Sequence, residues 1–307
     1  MSAVVRDHGH PACRAKISGN LARRPNDERK GQALRLSVLS SGSSGNATYI
    51  ESEGSGLLVD VGLPCRRIEG LLARIGRSMR DVGAVLLTHG HADHTSGVRS
   101  LARECGVEIL AAPGVGESLG ATAFEAGEAF EVGDLVATFF EVPHDSSTYG
   151  LRLSDGERDV AMATDLGEAG AEVLRRMRGA EAVVLEANHD LDWLRRGPYS
   201  ARLKRRISST NGHLSNRQAA EVALALAPHG LKDLVLAHLS KTNNSPARAC
   251  GTVHRALREA GHGGIRVRAA VAGHPTPPIE VGAPLETHEY VYRYELRGRS
   301  EQLFEME

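Results

Sequence analysis

The ordered part of the chain begins with alternating apolar and polar positions. Residues 34–39 (Leu-Arg-Leu-Ser-Val-Leu) follow a period of two, which predicts a strand with one buried face. The short apolar run at residues 56–62 closes on Asp60 and Gly62, and a third buried strand at residues 84–87 stops abruptly at Thr88 and His89. We therefore expect buried strands that carry polar side chains at their ends.

Helical and strand patterns alternate along the rest of the chain. A helix is predicted at residues 66–75, and further periodic segments follow at 96–105, 108–111, 136–142, 160–163, 171–177, 182–185, 216–226, 234–236 and 247–260. The sequence contains no internal repeat. The pattern indicates an α and β mixture in which several strands end in His or Asp.

The two ends of the chain lack this pattern. Residues 1–33 are rich in Arg, Asn, Gly and Pro and have no apolar period, so we predict a mobile N-terminal extension. Residues 34–275 are predicted to form the main domain. Residues 276–307 are predicted to be a C-terminal tail, Pro-rich and then acidic, with one possible strand at 290–296.

Composition narrows the class of protein. The chain has 307 residues, 41% of them apolar, and a formal net charge of -1, so any binding to nucleic acid must be local rather than driven by the whole-molecule charge. No apolar run approaches the ~20 residues of a membrane span, and no signal peptide is evident, so a cytoplasmic location is expected. The four cysteines include no Cys-x-x-Cys pair and are expected to be reduced thiols.

The segment His89-Gly90-His91-Ala92-Asp93-His94 concentrates four potential metal ligands directly after a buried strand. A tight loop there can turn His89 and His91 toward one ion, and Asp93 and His94 toward another. Imidazole and carboxylate suit Zn²⁺ or Mn²⁺, while the lack of thiolates argues against a closed structural zinc site. The alternative, a His-rich surface loop that binds nothing, is disfavoured by further His and Asp residues downstream.

Three further strand ends supply those partners. His144, Asp165 and His238 each follow an apolar segment, and Asp165 is the natural carboxylate to bridge two ions. The ordered series of Asp60, the His-x-His-x-Asp-His segment, His144, Asp165 and His238 resembles the five motifs of the metallo-β-lactamase superfamily over residues 34–275.

This resemblance implies an α+β fold, the four-layer αββα sandwich, with two divalent metal ions as cofactors. It implies that His89, His91 and His144 hold the first ion and that Asp93, His94 and His238 hold the second, with Asp165 between them. Asp60 would support the loop without binding metal. In this frame residues 34–275 form a metal-dependent hydrolase domain.

Other segments resemble a narrower branch, the WalJ (YycJ) type of bacterial exonuclease-like proteins. They are residues 39–46 (Leu-Ser-Ser-Gly-Ser-Ser-Gly-Asn), 185–190 (Leu-Glu-Ala-Asn-His-Asp), 212–216 (Gly-His-Leu-Ser-Asn) and 238–244 (His-Leu-Ser-Lys-Thr-Asn-Asn). The branch implies hydrolysis of DNA phosphodiesters by water that the metal ions activate.

Candidate catalytic residues follow from this chemistry. Asp93 could orient the attacking water or accept its proton. His213 is the candidate proton donor to the leaving group, by likeness to the Glu and His pair of tRNA-processing nucleases in the superfamily, with Glu186 holding it protonated. The alternative for Glu186 and His213 is a structural hydrogen-bonded pair.

The densest basic cluster spans residues 195–206. It is predicted to follow a DNA backbone through Arg195, Arg196, Arg202, Lys204, Arg205 and Arg206, with Tyr199 available to stack on a base. A solvated helix face is the alternative. A small-molecule thioester or lactone hydrolase on the same metal site, and a non-catalytic binding protein that keeps its metals for structure, also remain open.

Overall fold

The computed structural model describes residues 33–53 and 56–285. Over these ranges the strands are β1 (Arg35–Ser40), β2 (Ala47–Glu51), β3 (Gly56–Val59), β4 (Ala84–Leu87), β5 (Glu108–Ala111), β6 (Thr122–Ala123), β7 (Ala129–Val132), β8 (Leu135–Val142), β9 (Thr148–Ser154), β10 (Asp159–Ala163), β11 (Ala182–Glu186), β12 (Asp233–Ala237), β13 (Arg266–Ala269) and β14 (Ile279–Glu280). The α-helices are α1 (Cys65–Ala73), α2 (Ala92–Thr95), α3 (Val98–Cys105), α4 (Ala171–Met177), α5 (Leu191–Arg196), α6 (Ala201–Ile207), α7 (Asn216–Leu226) and α8 (Pro246–Glu259). Short 3-10 helices lie at Met79–Asp81, Glu117–Leu119 and Ala227–His229.

The strands form two seven-stranded mixed sheets. The first has the order β14-β1-β2-β3-β4-β5-β6, and the second has the order β13-β12-β11-β10-β9-β8-β7. Strands β3, β4 and β5 run parallel to one another, as do β10, β11, β12 and β13. Because parallel strands end at the same edge of a sheet, residues that follow β3 and β4 are neighbours, and so are residues that follow β10, β11 and β12.

The apolar residues divide into two buried clusters. Alternate residues of β10 belong to different clusters: Val160 and Met162 join the core shared by the two sheets, whereas Ala161 and Ala163 join the core under α4, α7 and α8. Because both faces of such a strand pack against apolar side chains, its sequence does not alternate between apolar and polar residues. This explains the continuous apolar runs in the sequence. The layers are helix, sheet, sheet and helix, and the predicted αββα sandwich is confirmed.

The sequence placed several elements at their observed bounds, including β4, β5, α4 and α7. Strand β14 pairs with β1 and falls within residues 276–307, the predicted tail, while the domain boundaries themselves stay a prediction. Residues 1–32 and the possible strand at 290–296 lie outside the described residues. Within the described ranges, no helix is long and apolar enough to cross a membrane.

Candidate metal centre and active site

Three residues at strand ends adopt the left-handed backbone conformation that ordinarily favours glycine. They are Asp60 after β3, Asp165 after β10 and His238 after β12, with φ of 58°, 58° and 54°. A non-glycine residue in this region costs on the order of 1–3 kcal/mol and persists only where the surroundings enforce it. All three side chains are buried at the same edge of the sandwich, which makes this edge the candidate functional site.

Asp60 organises the loop that carries the His-x-His-x-Asp-His segment. Its Oδ1 accepts a hydrogen bond from the backbone N–H of Thr88 at 2.9 Å, and its Oδ2 accepts from the Thr88 hydroxyl and from Nδ1 of His94, both at 2.8 Å. The bond to Nδ1 leaves Nε2 of His94 facing the other ligands. Asp60 therefore orients a proposed ligand without being one.

The Ser-Gly loop at residues 40–46 holds the same ligands from the opposite side. The Asn46 amide nitrogen lies 3.2 Å from Oδ2 of Asp93 and 2.9 Å from Nε2 of His94, and the Ser41 hydroxyl accepts from the backbone N–H of His238 at 2.7 Å. A Cβ on Gly62 would overlap the carbonyl oxygen of Asp93, so only glycine fits there. The loop supports the predicted metal-ligand residues, a role that its turn-like sequence did not reveal.

The second sheet contributes His144, Asp165, Glu186 and His238. Nδ1 of His144 donates to the carbonyl oxygen of Gly212 at 3.0 Å, which again leaves Nε2 toward the pocket. Glu186, at the end of β11, is fully buried, and its Oε1 accepts from Nδ1 of His213 at 2.8 Å and from Nδ1 of His238 at 2.7 Å. One carboxylate oxygen thus orients two imidazoles at once.

The other oxygen of Glu186 is also used. Oε2 accepts from the backbone N–H of Leu166 at 3.0 Å and from that of Leu214 at 3.3 Å. These contacts tie Glu186 to the loop that carries Asp165 and to the loop that carries His213. The predicted pair of Glu186 and His213 is therefore in contact, but Glu186 serves His238 equally.

Burial and close carboxylates shift the ionisation of these groups. Burial lowers the pKa of His89 to about 4, so its imidazole is neutral. Burial also opposes a charge on His94, but the carboxylates of Asp60 and Asp165 outweigh it and raise the pKa of His94 to about 10. For Asp165, burial would favour protonation, yet His238 and His94 hold its pKa well below the ordinary value.

Burial and neighbouring charges also have opposite effects on the pKa values of Glu186 and His213. Burial disfavours its charge, but His213 and His238 lower the pKa of Glu186 to about 2. Burial likewise opposes a proton on His213, and the Glu186 carboxylate overcomes it, so that the pKa of His213 is raised. The Glu186 carboxylate therefore favours the protonated form of His213.

All seven predicted metal ligands fall into four clusters, and within each cluster the candidate ligand atoms lie within 4.8 Å of one another. Three clusters share residues, whereas His91 and His144 form a separate one with Asp145, and His89 is grouped with His94 and Asp165 rather than with its predicted partners. The clusters are His91 with His144 and Asp145; His89 with His94 and Asp165; Asp93 with His94 and His238; and Asp165 with Glu186, His213 and His238.

Two atoms in these clusters make no hydrogen bond although they are buried. They are Nε2 of His89 and Oδ2 of Asp165, and the latter faces Nε2 of His94 at 3.2 Å without hydrogen-bonding geometry. A buried nitrogen or carboxylate oxygen atom without a hydrogen-bond partner destabilises the folded protein unless it binds a ligand such as a metal ion. The donor set of imidazole and carboxylate groups, open on one side, fits catalytic divalent ions.

Asp145 is a residue of this site that the sequence analysis missed. Its Oδ1 lies 3.2 Å from Nε2 of His144, and its Oδ2 accepts from Nε of Arg206 at 2.9 Å and also from Nη2 of the same side chain. Arg206 belongs to the predicted DNA-binding cluster, so the last turn of α6 reaches the predicted ligands. The only sequence signal for Asp145 was its position next to His144.

His189, which lies in the branch-specific segment at 185–190, is not among the clustered ligands. It is buried, neither ring nitrogen has a hydrogen-bond partner, and burial lowers its pKa to about 4 in spite of the nearby Glu186. Its backbone bridges to Ser215, so it joins the segment after β11 to the loop that carries His213.

Comparison with known proteins identifies the family. A family model described as a β-lactamase superfamily domain matches residues 57–239, more than half of the chain. The chain belongs to this superfamily. The Exodeoxyribonuclease WalJ of Streptococcus pneumoniae is 36% identical to it over 240 residues, which cover 74% of this chain and 89% of that protein. The Exodeoxyribonuclease YycJ of Bacillus anthracis is 33% identical over 256 residues, 80% of this chain and 96% of that protein. The predicted membership of the superfamily and of its WalJ (YycJ) branch is confirmed.

Solved structures agree on the fold. The metallo-β-lactamase fold protein YhfI of Bacillus subtilis superposes with a TM-score of 0.61 at 17% identity, covering 80% of this chain and 99% of that one. The short form of human tRNase Z superposes with a TM-score of 0.56 at 15% identity, covering 79% and 98%. At sequence identities this low, structural similarity establishes the fold but not the activity.

Proposed function

We propose that the chain is a phosphodiesterase dependent on divalent metal ions, and that it acts on DNA as an exonuclease. One observation supports this proposal most directly: the basic helix α6 is bonded to the predicted metal-ligand pocket through Arg206 and Asp145. A phosphate backbone that follows the cations of this helix would be led to the predicted ligands. The exodeoxyribonuclease names of the WalJ and YycJ relatives support the same substrate.

The residues present fit two divalent ions, with Zn²⁺ or Mn²⁺ as the candidates. His89, His91 and His144 would hold one, Asp93, His94 and His238 the other, and Asp165 both. Two such ions would supply Lewis acidity to the phosphodiester and lower the pKa of water. The position of Asp165 in two of the four clusters supports its proposed bridging role.

Asp93 is the proposed residue that orients the attacking water and accepts its proton. Its carboxyl group is partly exposed, unlike that of the buried Asp165. The Asn46 amide lies 3.2 Å from its Oδ2 and restrains the carboxylate. Burial disfavours the charge of Asp93, but His238 and His94 lower its pKa, so the carboxylate is ionised at neutral pH and can accept a hydrogen bond from a water molecule.

His213 is the proposed proton donor to the leaving oxygen. Its Nδ1 donates to Glu186, which leaves Nε2 unoccupied by that bond, and 21% of its side chain is exposed, compared with 8% for His238. A sugar alkoxide is a poor leaving group and needs this proton, whereas p-nitrophenolate departs without it. A general acid contributes about 10²- to 10⁴-fold to the rate.

The test offers the metal-loaded protein a labelled DNA strand, bis-p-nitrophenyl phosphate and a thioester. We expect hydrolysis of the first two. Turnover of the thioester alone would contradict the proposal and favour the acyl-hydrolase alternative, and no turnover with metal bound would favour a non-catalytic binding protein. The variant His213→Ala should lose about 10²- to 10⁴-fold on DNA, far less on the chromogenic diester, and should keep its metal.

A further inference from the structure

Two segments that the proposed chemistry leaves unused meet beside the pocket. They are the tip of the Ser-Gly loop between β1 and β2, and the turn that follows His238 at the end of β12. The Ser41 hydroxyl accepts from the backbone N–H of His238 at 2.7 Å, and Nζ of Lys241 donates to the Ser44 hydroxyl at 3.3 Å. The two segments are therefore joined at two points. Both belong to the stretches by which the sequence resembles the WalJ (YycJ) branch.

The tip of the loop presents hydrogen-bond donors to solvent. Ser43 and Ser44 are exposed, whereas the residues on either side of them are buried. Within the described ranges, neither the backbone N–H of Ser43 nor that of Ser44 donates a hydrogen bond. The tip is held in shape from below, because the N–H of Gly45 donates to the carbonyl oxygen of Gly42 at 3.0 Å and the N–H of Gly42 donates to Oδ1 of Asn46 at 2.8 Å. Successive free N–H groups in a tight turn form a concave surface that favours an anion.

Lys241 adds a full positive charge to these donors. Its side chain is exposed, and within the part of the chain that the structure describes it forms no ion pair with a carboxylate. By contrast, the guanidinium of Arg206 is paired with Asp145. An ammonium group that lacks an acidic partner and lies beside free N–H and O–H donors attracts a phosphate. We call Ser43, Ser44 and Lys241 the Ser-Lys cradle.

The cradle borders the proposed ligands of the second ion. Asn46, two residues after Ser44, has its amide nitrogen 3.2 Å from Oδ2 of Asp93 and 2.9 Å from Nε2 of His94. The third proposed ligand of that ion lies three residues before Lys241. Two residues of chain span at most about 7 Å, so the cradle lies within reach of a phosphate that adjoins the one in the pocket.

Positive charge at the other half of the pocket belongs to α6. Arg206 in that helix is bonded to Asp145, whose Oδ1 lies 3.2 Å from Nε2 of His144, a proposed ligand of the first ion. The cradle and α6 therefore flank different halves of the proposed two-ion site. A DNA strand whose scissile phosphate lies between them would meet donors in both directions along its backbone.

We propose that the Ser-Lys cradle binds the internucleotide phosphate that adjoins the scissile one, on the side of the second ion. This inference rests on the proposed function. Lys241 supplies the charge, and the N–H and hydroxyl groups of Ser43 and Ser44 supply the hydrogen bonds. The cradle holds the DNA backbone in line with the pocket and takes no part in proton transfer, so Lys241 is a substrate-binding residue.

Binding of DNA at several salt concentrations tests the charge of Lys241. The probe is a dye-labelled DNA duplex with phosphorothioate linkages, which resist hydrolysis, added to the zinc-loaded full-length protein, and fluorescence anisotropy gives Kd. Lys241→Met keeps the aliphatic stem and removes the charge, so the slope of log K against log salt should fall in magnitude by about 0.9. Between about 50 and 200 mM salt, the advantage of the wild type over this variant should therefore shrink about 3-fold. Lys241→Arg should keep the wild-type slope.

Arg255→Ala is the matched control for the loss of one positive charge. Arg255 is exposed and lies in α8, nine residues after the first residue of that helix and outside the cradle. This variant should keep the wild-type slope. Equal slopes in Lys241→Met and the wild type, or a loss of slope in Arg255→Ala as large as in Lys241→Met, would overturn the proposal.

Hydrolysis separates substrate binding from a structural role. Lys241→Met should raise KM for DNA by about 3- to 10-fold with little change in kcat. It should affect bis-p-nitrophenyl phosphate much less, because that substrate has no second phosphate for the cradle. Since the side chain is exposed, the zinc content and the midpoint of urea unfolding should match the wild type. Equal losses on both substrates, together with loss of zinc, would overturn the proposal in favour of a structural role.

Binding and hydrolysis fail separately in this design. If the protein hydrolyses neither DNA nor bis-p-nitrophenyl phosphate but Lys241→Met lowers the salt slope of DNA binding, the proposed function is wrong and the phosphate contact stands. If DNA is hydrolysed and neither the slope nor KM depends on Lys241, the cradle is wrong and the proposed function stands.

Discussion

Replacing Glu186 by glutamine removes the negative charge of a side chain that contacts both His213 and His238, and it leaves the size and shape of the side chain nearly unchanged. In the native protein each carboxylate oxygen accepts two hydrogen bonds, Oε1 from His213 and His238, and Oε2 from the N–H groups of Leu166 and Leu214. Glutamine has one oxygen and one NH₂ group. With its NH₂ group toward Leu166 and Leu214, glutamine faces two backbone N–H donors. Turned the other way, it can donate to Nδ1 of His213 and His238 only if both rings carry their proton on Nε2, which takes Nε2 of His238 away from a metal ion.

The magnitude follows from this count. A buried donor left without an acceptor costs about 1–3 kcal/mol, so two stranded donors cost about 2–6 kcal/mol before the structure relaxes. We expect Glu186→Gln to lower the free energy of unfolding of the metal-free protein by about 1–3 kcal/mol, because rotation of the amide and a change of imidazole tautomer relieve part of this cost. Because Glu186 orients His238, a proposed ligand, we also expect zinc affinity to fall by about 10- to 100-fold.

The measurements are urea denaturation of the metal-free protein and titration of zinc against a competing chelator. Glu181→Gln is the matched control, because Glu181 lies just before the same strand, β11, and its Oε2 accepts a hydrogen bond from the backbone N–H of Asp159 at 2.9 Å. If Glu186→Gln unfolded within about 0.5 kcal/mol of the wild type and bound zinc equally tightly, the shared role of Glu186 would be refuted.

Four further outcomes follow from the same geometry. Elemental analysis of the zinc-reconstituted protein should find close to two ions per chain. The variant Asp165→Ala should lose ions and activity but keep its fold, as measured by circular dichroism. Normal turnover by this variant would mean that Asp165 is not the bridging residue. Arg205→Ala should flatten the salt dependence of DNA binding by about one unit of slope and leave the chromogenic diester nearly unaffected. Arg206→Ala should impair both substrates, because Arg206 holds Asp145 beside His144; equal behaviour of the two variants would contradict this distinction.

Much of the fold and most of the clustered residues were accessible from sequence because their signals are local. An apolar run of four residues that stops at a polar one, as at residues 84–89, predicts both the strand and the side chain at its end. Asp60, His89, Asp165 and His238 could be picked out in this way. The order of the motifs along the chain then predicted the superfamily.

The missed features depend on register between distant segments. Glu186 serves His213 and His238 together because β11 lies between β10 and β12, and no spacing in the sequence records that neighbourhood. Asp145 and Arg206 meet across 61 residues. Edge strands such as β14 have too few residues for a period to be read. Gly97, between α2 and α3, lies so close to the carbonyl oxygen of Leu63 that a Cβ would overlap it, and that approach is not recorded in the local sequence.

The left-handed backbone at Asp60, Asp165 and His238 has a consequence for engineering this chain. Glycine adopts that conformation without strain, so Asp165→Gly should fold more stably than Asp165→Ala although both lack the carboxylate. A selection for thermostability alone would therefore favour glycine at the positions proposed for catalysis. Libraries evolved for heat resistance would drift toward well-folded, inactive proteins unless each round also demanded turnover.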